Sequence, residues 1–405
     1  MNILVLRSNF QTNDFVEKEY AALFENLKSE FQANIYILGD DATTVEQWKQ
    51  NGAKPDFVMT ATGGVEGLFK QIIGQLGQNI DLIADGRNNS LAAALEILSY
   101  LSNEGRKGRI IHGNNAEIIA EIKGEFKSLN GTRIGCFGEP SDWLIASAVD
   151  RDFVKQRYGI QIVDIDLQRL IEGIKAADQA EATKIAQDCV KRSKAIVEPT
   201  CADMIEAAKT YLAIKKICLE EKLTAMTIRC FDIVNACGTT SCLALALLND
   251  EGIVAGCEGD MQTVITMVLA QRLCGKKAFM ANPSTLTNEY SLLAHCTLPL
   301  TMCDEIVMRS HFESLKGVAI QGLLPTIDYT IMKWGGRRME KFFVAEAKAL
   351  PIDYSNHFCR TQIKLDVNLK DYLLNCSIGN HQVIIRGRHA ETIRKFMKQF
   401  DCQEQ

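Results

Sequence analysis

Nothing in this 405-residue chain is apolar for long enough to cross a bilayer. The longest apolar runs, such as SCLALALL, stop far short of the roughly 18 residues that a spanning helix needs. The start, MNILVLRSN, has no basic region ahead of an apolar one, so it reads as a strand and not as a secretory leader. An excess of basic charge is missing too. Lys and Arg number 45 against 50 Asp and Glu, for a net charge of −5 and a pI near 5.8. No nucleic-acid surface is expected from that balance, and KKICLEEK and RGRHAETIRK read as solvated helix faces. TGGVEG is not a GxGxxG fingerprint and no P-loop occurs, which speaks against a dinucleotide site. The 14 cysteines include no CxxC pair with zinc spacing, so they read as reduced, mostly buried thiols of a cytoplasmic protein. Low-complexity tracts, heptads and short repeats are absent. A soluble globular protein remains, without a membrane or nucleic-acid partner, and its length implies two or three domains.

What is present is a regular alternation. NILVLRS, ANIYILG, DFVMTAT, IDLIAD and GRIIHG are short β-rich runs separated by stretches of helical period, the pattern of a parallel sheet covered on both faces. SLNGTR reads as a linker, and RIGCFG opens a second series. In it, GEPSDWLIASAVDRDFVKQRYG reads as a helix capped by Ser141 or Asp142. From Lys276 onward seven β-like runs follow one another with few helices between them, the signature of a barrel-like antiparallel domain. The expected fold is therefore α/β: two doubly wound Rossmann-like parallel-sheet domains followed by a mainly antiparallel β-barrel-like C-terminal domain. Boundaries fall at 1–132, 133–275 and 276–405, with the active site between the second and third domains.

The segment from Ala255 to Pro299 concentrates polar groups at the ends of apolar runs. GIVAGCE ends in Glu258, and Asp260 starts an amphipathic helix that stops at Gly275. KAFMAN presents Asn282, and SLLAHC presents His295. A carboxylate directly after an apolar run is costly to bury unless it meets a cation or a donor, which makes Glu258 the foremost candidate. For Asp260, helix capping and catalysis stand side by side. Only six histidines occur. His295 and His381 have the stronger cases, His112 sits in a strand-end loop, and His311, His357 and His389 have weaker ones. One carboxylate with imidazole and an amide oxygen suits Mn²⁺ or Mg²⁺ better than zinc.

In these residues the chain resembles the L-fucose/L-arabinose isomerase superfamily, in particular its shorter fucose isomerase-like members. The segments that carry the likeness are ACG..SCLALALLNDEGIVAGCEGDMQ, GKKAFMANPS, LAHCTLP, CRTQ and GNHQVIIRG. The resemblance implies three domains, aldose–ketose isomerase activity, dependence on Mn²⁺ or a similar divalent cation such as Mg²⁺ or Co²⁺, and a homo-oligomer (trimer or hexamer) in which a neighbour's N-terminal domain closes the site. It implies Glu258, Asn282 and His381 as metal ligands and Glu258 and Asp260 as acid–base groups. On this reading His295 is a further metal ligand or a substrate-oxygen contact, and Asn380, Trp334, Lys333 and Arg360 line the sugar; for Trp334, stacking on the sugar face and a core position in a barrel strand stand side by side. In one place the chain departs from the pattern. Asn282 stands where the characterised isomerases have a second acid, and an amide can ligate a metal but cannot act as a general base. A non-catalytic sugar-binding or regulatory protein, or an epimerase or lyase working through an enediolate, would use the same groups.

Overall fold

The computed structural model describes residues 1–51, 54–77, 79–127, 129–400 and 402–405; Ser128, the first residue of the expected linker, lies outside them. Two compact units, Met1–Lys127 and Ser128–Gln405, divide the chain. In the smaller unit, five parallel strands (Asn2–Leu6, Asn34–Leu38, Phe57–Thr60, Asn79–Ala84 and Lys107–His112) lie in the spatial order second, first, third, fourth, fifth. Successive side chains of a strand point to opposite faces. Leu4, Leu6, Val58 and Leu82 accordingly feed one apolar core, while Ile3, Val5, Met59 and Ile83 feed the other. Helices cover both, which is why these strands read as nearly unbroken apolar runs.

The larger unit begins with a second parallel sheet, ordered Val254–Gly256, Ala225–Ile228, Arg133–Phe137, Gln161–Ile165. Its C-terminal part is a closed antiparallel barrel. Asp328–Gly335, Gln382–Arg386, Ala278–Leu286, Ser291–His295, Thr361–Leu365 and Lys341–Leu350 pair in that order, and the last pairs back to the first. Of the seven expected β runs, six close the barrel. The seventh, Ala319–Leu323, instead joins Glu305–Arg309 and Ala195–Ile196 in a separate three-stranded sheet. Among the described residues no helix is long and apolar enough to cross a membrane.

The helix Met261–Cys274 lies between the parallel sheet and the barrel. It was expected to be amphipathic, yet every residue from Met261 to Ala270 is buried, as befits a helix with packing partners on all sides. Its buried polar side chains bond internally. Gln262 Nε2 donates to the Ala146 and Ala148 carbonyls, and Thr266 Oγ1 donates to the Trp334 carbonyl. One apolar core runs through both layers, from Ile134 and Met226 to Val383 and Ile385. Trp334, for which a sugar-facing and a core position stood side by side, belongs to this core. It is 0% exposed, its indole N–H donates to the Met339 carbonyl at 2.6 Å, and Tyr158 and Phe396 meet its ring edge-to-face. Strand alternation explains the difference, because the neighbouring Lys333 takes the other face of Asp328–Gly335.

The expected helix capped at Ser141 or Asp142 also begins later, at Arg151, with Asp150 as its N-cap. The residues before it form turns tied down by Arg229, which donates to the Pro140 carbonyl and pairs with both carboxylate oxygens of Asp142. Replacing Trp334 with Ala should cost about 3–5 kcal/mol of unfolding free energy in urea titrations. A loss below about 1 kcal/mol, the scale of an ordinary surface change, would contradict its place in the core.

Candidate active site

Glu258 sits in a turn that the sequence makes tight. The strand Val254–Gly256 ends, and two consecutive residues adopt left-handed backbone, Glu258 at φ +62 and Gly259 at φ +76. A Cβ on Gly259 would stand 2.5 Å from the Pro140 Cα, so only glycine fits there. Left-handed backbone at a non-glycine residue is strained, on the order of 1–3 kcal/mol, and such strain gathers at functional sites. The turn is fastened on the other side by the Ser141 N–H, which donates to the Glu258 carbonyl at 2.9 Å. Trp143 Nε1–H donates to Glu258 Oε2 at 2.6 Å, and the ring of Trp143 packs edge-to-face on Phe231. Oε1 is left facing the two imidazoles, 3.7 Å from His295 Nε2 and 3.6 Å from His381 Nε2. Burial opposes charge on this carboxyl, but the two imidazoles outweigh it and hold Glu258 well below the usual carboxylate range.

Asp260 is turned away from that space. It is fully buried and caps the helix Met261–Cys274, Oδ1 accepting from the Thr263 N–H and Oδ2 from the Thr263 hydroxyl. Oδ2 also lies 2.9 Å from His381 Nδ1 and 3.6 Å from Lys333 Nζ, and Lys333 donates to Thr263 Oγ1. The expectation that Asp260 exchanges protons with substrate is therefore corrected: both oxygens are committed to the helix cap, the imidazole and the ammonium. What it does is orient His381, whose Nδ1–H it takes. This leaves Nε2 facing Glu258, buried and without a hydrogen-bond partner. Burial disfavours charge on His381, but the hydrogen bond to Asp260 and the nearby Glu258 push it up to about 9.

His295 is arranged the other way. Its Nδ1 accepts the Cys296 backbone N–H at 2.9 Å, and burial, the largest influence, pushes its pKa down. The neutral ring thus carries its proton on Nε2. Glu258, His295, Asn282 and Asn380 all line one cavity of about 530 Å³, and the Asn282 Oδ1 is buried without a partner. Arg360 does not line it. Its guanidinium is spent on Ser310, donating to the carbonyl at 2.9 Å and to the hydroxyl at 3.3 Å. Lys333 is likewise absent from the wall, fully buried on Asp260.

The cavity wall holds residues that the sequence did not single out. Trp143, Phe231 and Glu313 are among them, with the thiols of Cys230, Cys242, Cys257, Cys296 and Cys359, and His311, one of the weaker histidine candidates, joins them at the wall. These come from loops and element ends far apart in the chain, so no local spacing marks them. For Trp143 a faint signal exists: it is one of three tryptophans and stands in a Pro- and Asp-bearing turn.

In the metal-free protein His381 has a pKa above its ordinary 6.5. Its charge therefore stabilises the fold fully below that value, and the contribution is lost as pH rises through about 9. The stability gap between wild type and His381→Asn should accordingly shrink from pH 7 upward. A gap independent of pH would contradict a charged His381. Asp260→Asn should cost about 3–5 kcal/mol, because it leaves a buried ammonium without its partner.

No protein-family profile matches the chain. It is similar, however, to proteins named sulfoquinovose isomerase. That of Priestia aryabhattai is 25% identical over 204 residues, covering 47% of this chain and 45% of the relative. That of Alkalicoccus urumqiensis is 26% identical over 200 residues, covering 45% and 41%. That of Clostridium sp. (strain MSTE9) is 25% identical over 206 residues, covering 49% and 44%. The aligned stretch spans less than half the length of each of these relatives, and within it the likeness is to sugar isomerases.

Proposed function

We propose that this protein is a divalent-metal-dependent aldose–ketose isomerase acting on an open-chain sugar, and that the cavity holding Glu258 is its active site. The observation that carries the reading is a buried carboxylate, Glu258, clustered with two buried imidazoles, His295 and His381, their ligating atoms all within 4.8 Å of one another. His381 Nε2 and Asn282 Oδ1 are buried without partners, and Asn282 lines the same cavity as Glu258. A cation would give these atoms a partner. The set is oxygen-rich and free of thiolate, which suits Mn²⁺, Mg²⁺ or Co²⁺. His381 has the arrangement typical of a ligating imidazole, its other nitrogen held by a carboxylate. Glu258 Oε1, His381 Nε2 and Asn282 Oδ1 would hold the ion. When bound, it would polarise the neighbouring carbonyl and hydroxyl oxygens of the open-chain sugar and stabilise negative charge developing on them.

The protein's own groups divide the remaining work. Isomerisation moves a proton between C2 and C1, so a base must face the sugar. Asn282 cannot serve and Asp260 is committed elsewhere. The carboxylates among the described residues of the wall are Glu258 and Glu313, and Glu313, exposed and outside the ligand set, takes the role of base. His295 offers an Nε2–H to a substrate oxygen. Asn380 stands at the same wall. Trp143 keeps Glu258 Oε2 from rotating, a positioning role.

The relatives' name suggests a sulfo-sugar. In this cavity the described lining carries two carboxylates and no Lys or Arg, which supports an uncharged aldose in its place. Homo-oligomerisation, with a neighbour closing the site, belongs to this proposal as well.

Purified protein should contain Mn²⁺ or a similar ion. Glu258→Gln and His381→Asn should weaken its binding by more than about 100-fold, beyond the loss typical of an outer partner. His295→Asn and Glu313→Gln should keep the metal and lose turnover. Unchanged metal content in Glu258→Gln would overturn the ligand assignment. Incubation with Mn²⁺ and a panel of aldoses in D₂O should place deuterium at C1 or C2 of one of them. No exchange with any sugar would favour a binding protein on the same scaffold.

A further inference from the structure

The cavity has a second cluster of ligating atoms, chemically unlike the first. Cys242 opens the helix Cys242–Glu251, Cys296 directly follows the barrel strand Ser291–His295, and His311 lies in the loop after Glu305–Arg309. All three are buried, and their sulfurs and one imidazole nitrogen lie within 4.8 Å of one another. The ligands of a tetrahedral zinc stand roughly 3.6–3.8 Å apart, given bonds of about 2.3 Å to sulfur and about 2.0–2.1 Å to nitrogen, so side-chain adjustments of about 1 Å suffice. Cys359 packs against Cys242 and Cys296 and lines the same cavity. His311 Nδ1 is nearest the Ser314 hydroxyl, at 3.0 Å. The Ser314 backbone N–H also donates to Nδ1, at 3.3 Å, so Nδ1 is held by Ser314, and a cation at the sulfurs would displace the proton on the ring nitrogen that faces them.

Buried cysteines often serve only as small apolar side chains. The buried imidazole among them, whose ring also meets Phe231 edge-to-face, adds a nitrogen donor of the kind that zinc takes together with thiolates. We infer that Cys242, Cys296 and His311, completed by Cys359, form a site for a thiophilic cation of the zinc class, separate from the oxygen-rich site at Glu258. Soft thiolates select such ions, and the carboxylate–amide set selects hard ones. Both sites line one cavity, so a thiophilic cation alters the wall against which a substrate would lie. This inference does not depend on the isomerase reading.

Cobalt(II) is the probe, added to intact protein already saturated with Mn²⁺. One equivalent should produce a thiolate-to-cobalt charge-transfer band in the near ultraviolet and the strong visible bands of a tetrahedral ion. Cys201→Ser with Cys376→Ser, which removes two exposed thiols, should leave these bands intact. Cys242→Ser with Cys296→Ser should abolish them, and His311→Gln should keep the charge-transfer band while shifting the visible ones. Should the double variant fold poorly, Cys296→Ala alone should weaken cobalt binding by more than about tenfold, a conservative figure for a lost ligand. Absence of a charge-transfer band in the wild type, or its survival when Cys242 and Cys296 are both replaced, would overturn the assignment.

Discussion

A buried carboxylate joins the two halves of the larger unit. Asp260 closes the N-terminus of the helix Met261–Cys274, accepts from His381, which directly precedes a barrel strand more than a hundred residues later, and balances the charge of Lys333 on another barrel strand. Removing three ionisable groups from water costs several kcal/mol per ion, so the arrangement survives only while each has its partner. The position of His381 therefore depends on the cap, and the cap depends on the short turn that carries Glu258. Helix, barrel and candidate site hold one another in place through this contact.

The cavity that results is asymmetric in its chemistry. One wall presents a carboxylate, amides and the His295 imidazole, and the fully buried His381 stands 3.6 Å from that carboxylate; the proton positions of the two imidazoles are set by different neighbours, a carboxylate for His381 and a backbone N–H for His295. The other wall is sulfur-rich, with aromatic cover from Trp143 and Phe231. The tautomer difference gives the two histidines different work although both face Glu258. Their near-equal distances to Glu258 would not by themselves reveal it.

Much of the fold was legible in the chain because period-2 and period-3.6 patterns report burial directly, and the β/α alternation and the β-rich C-terminal run both appear as expected. Glu258 was legible for an energetic reason, a charge placed directly after an apolar run. Trp334 was not. In a barrel strand covered on both faces, apolar pattern cannot tell which face a tryptophan takes, and here the helix side claimed it. Asp260 had two readings that only the location of its partners could separate. The turn around Trp143 looked helical because its residues tolerate helix, while the Arg229–Asp142 pair and the Gly259–Pro140 contact that fix it are tertiary. The thiol cluster, assembled from positions between 242 and 359, left no local trace at all.

The central claim is that Glu258, His381 and Asn282 share one divalent cation, with His295 beside it as a hydrogen-bond donor. Crystals grown with Mn²⁺ and measured at the manganese absorption edge test it most directly. The account predicts an anomalous peak within about 2.0–2.4 Å of Glu258 Oε1, His381 Nε2 and Asn282 Oδ1, and farther from His295 Nε2. An empty position there, or manganese bound directly by His295 with Asn282 turned away, would contradict it.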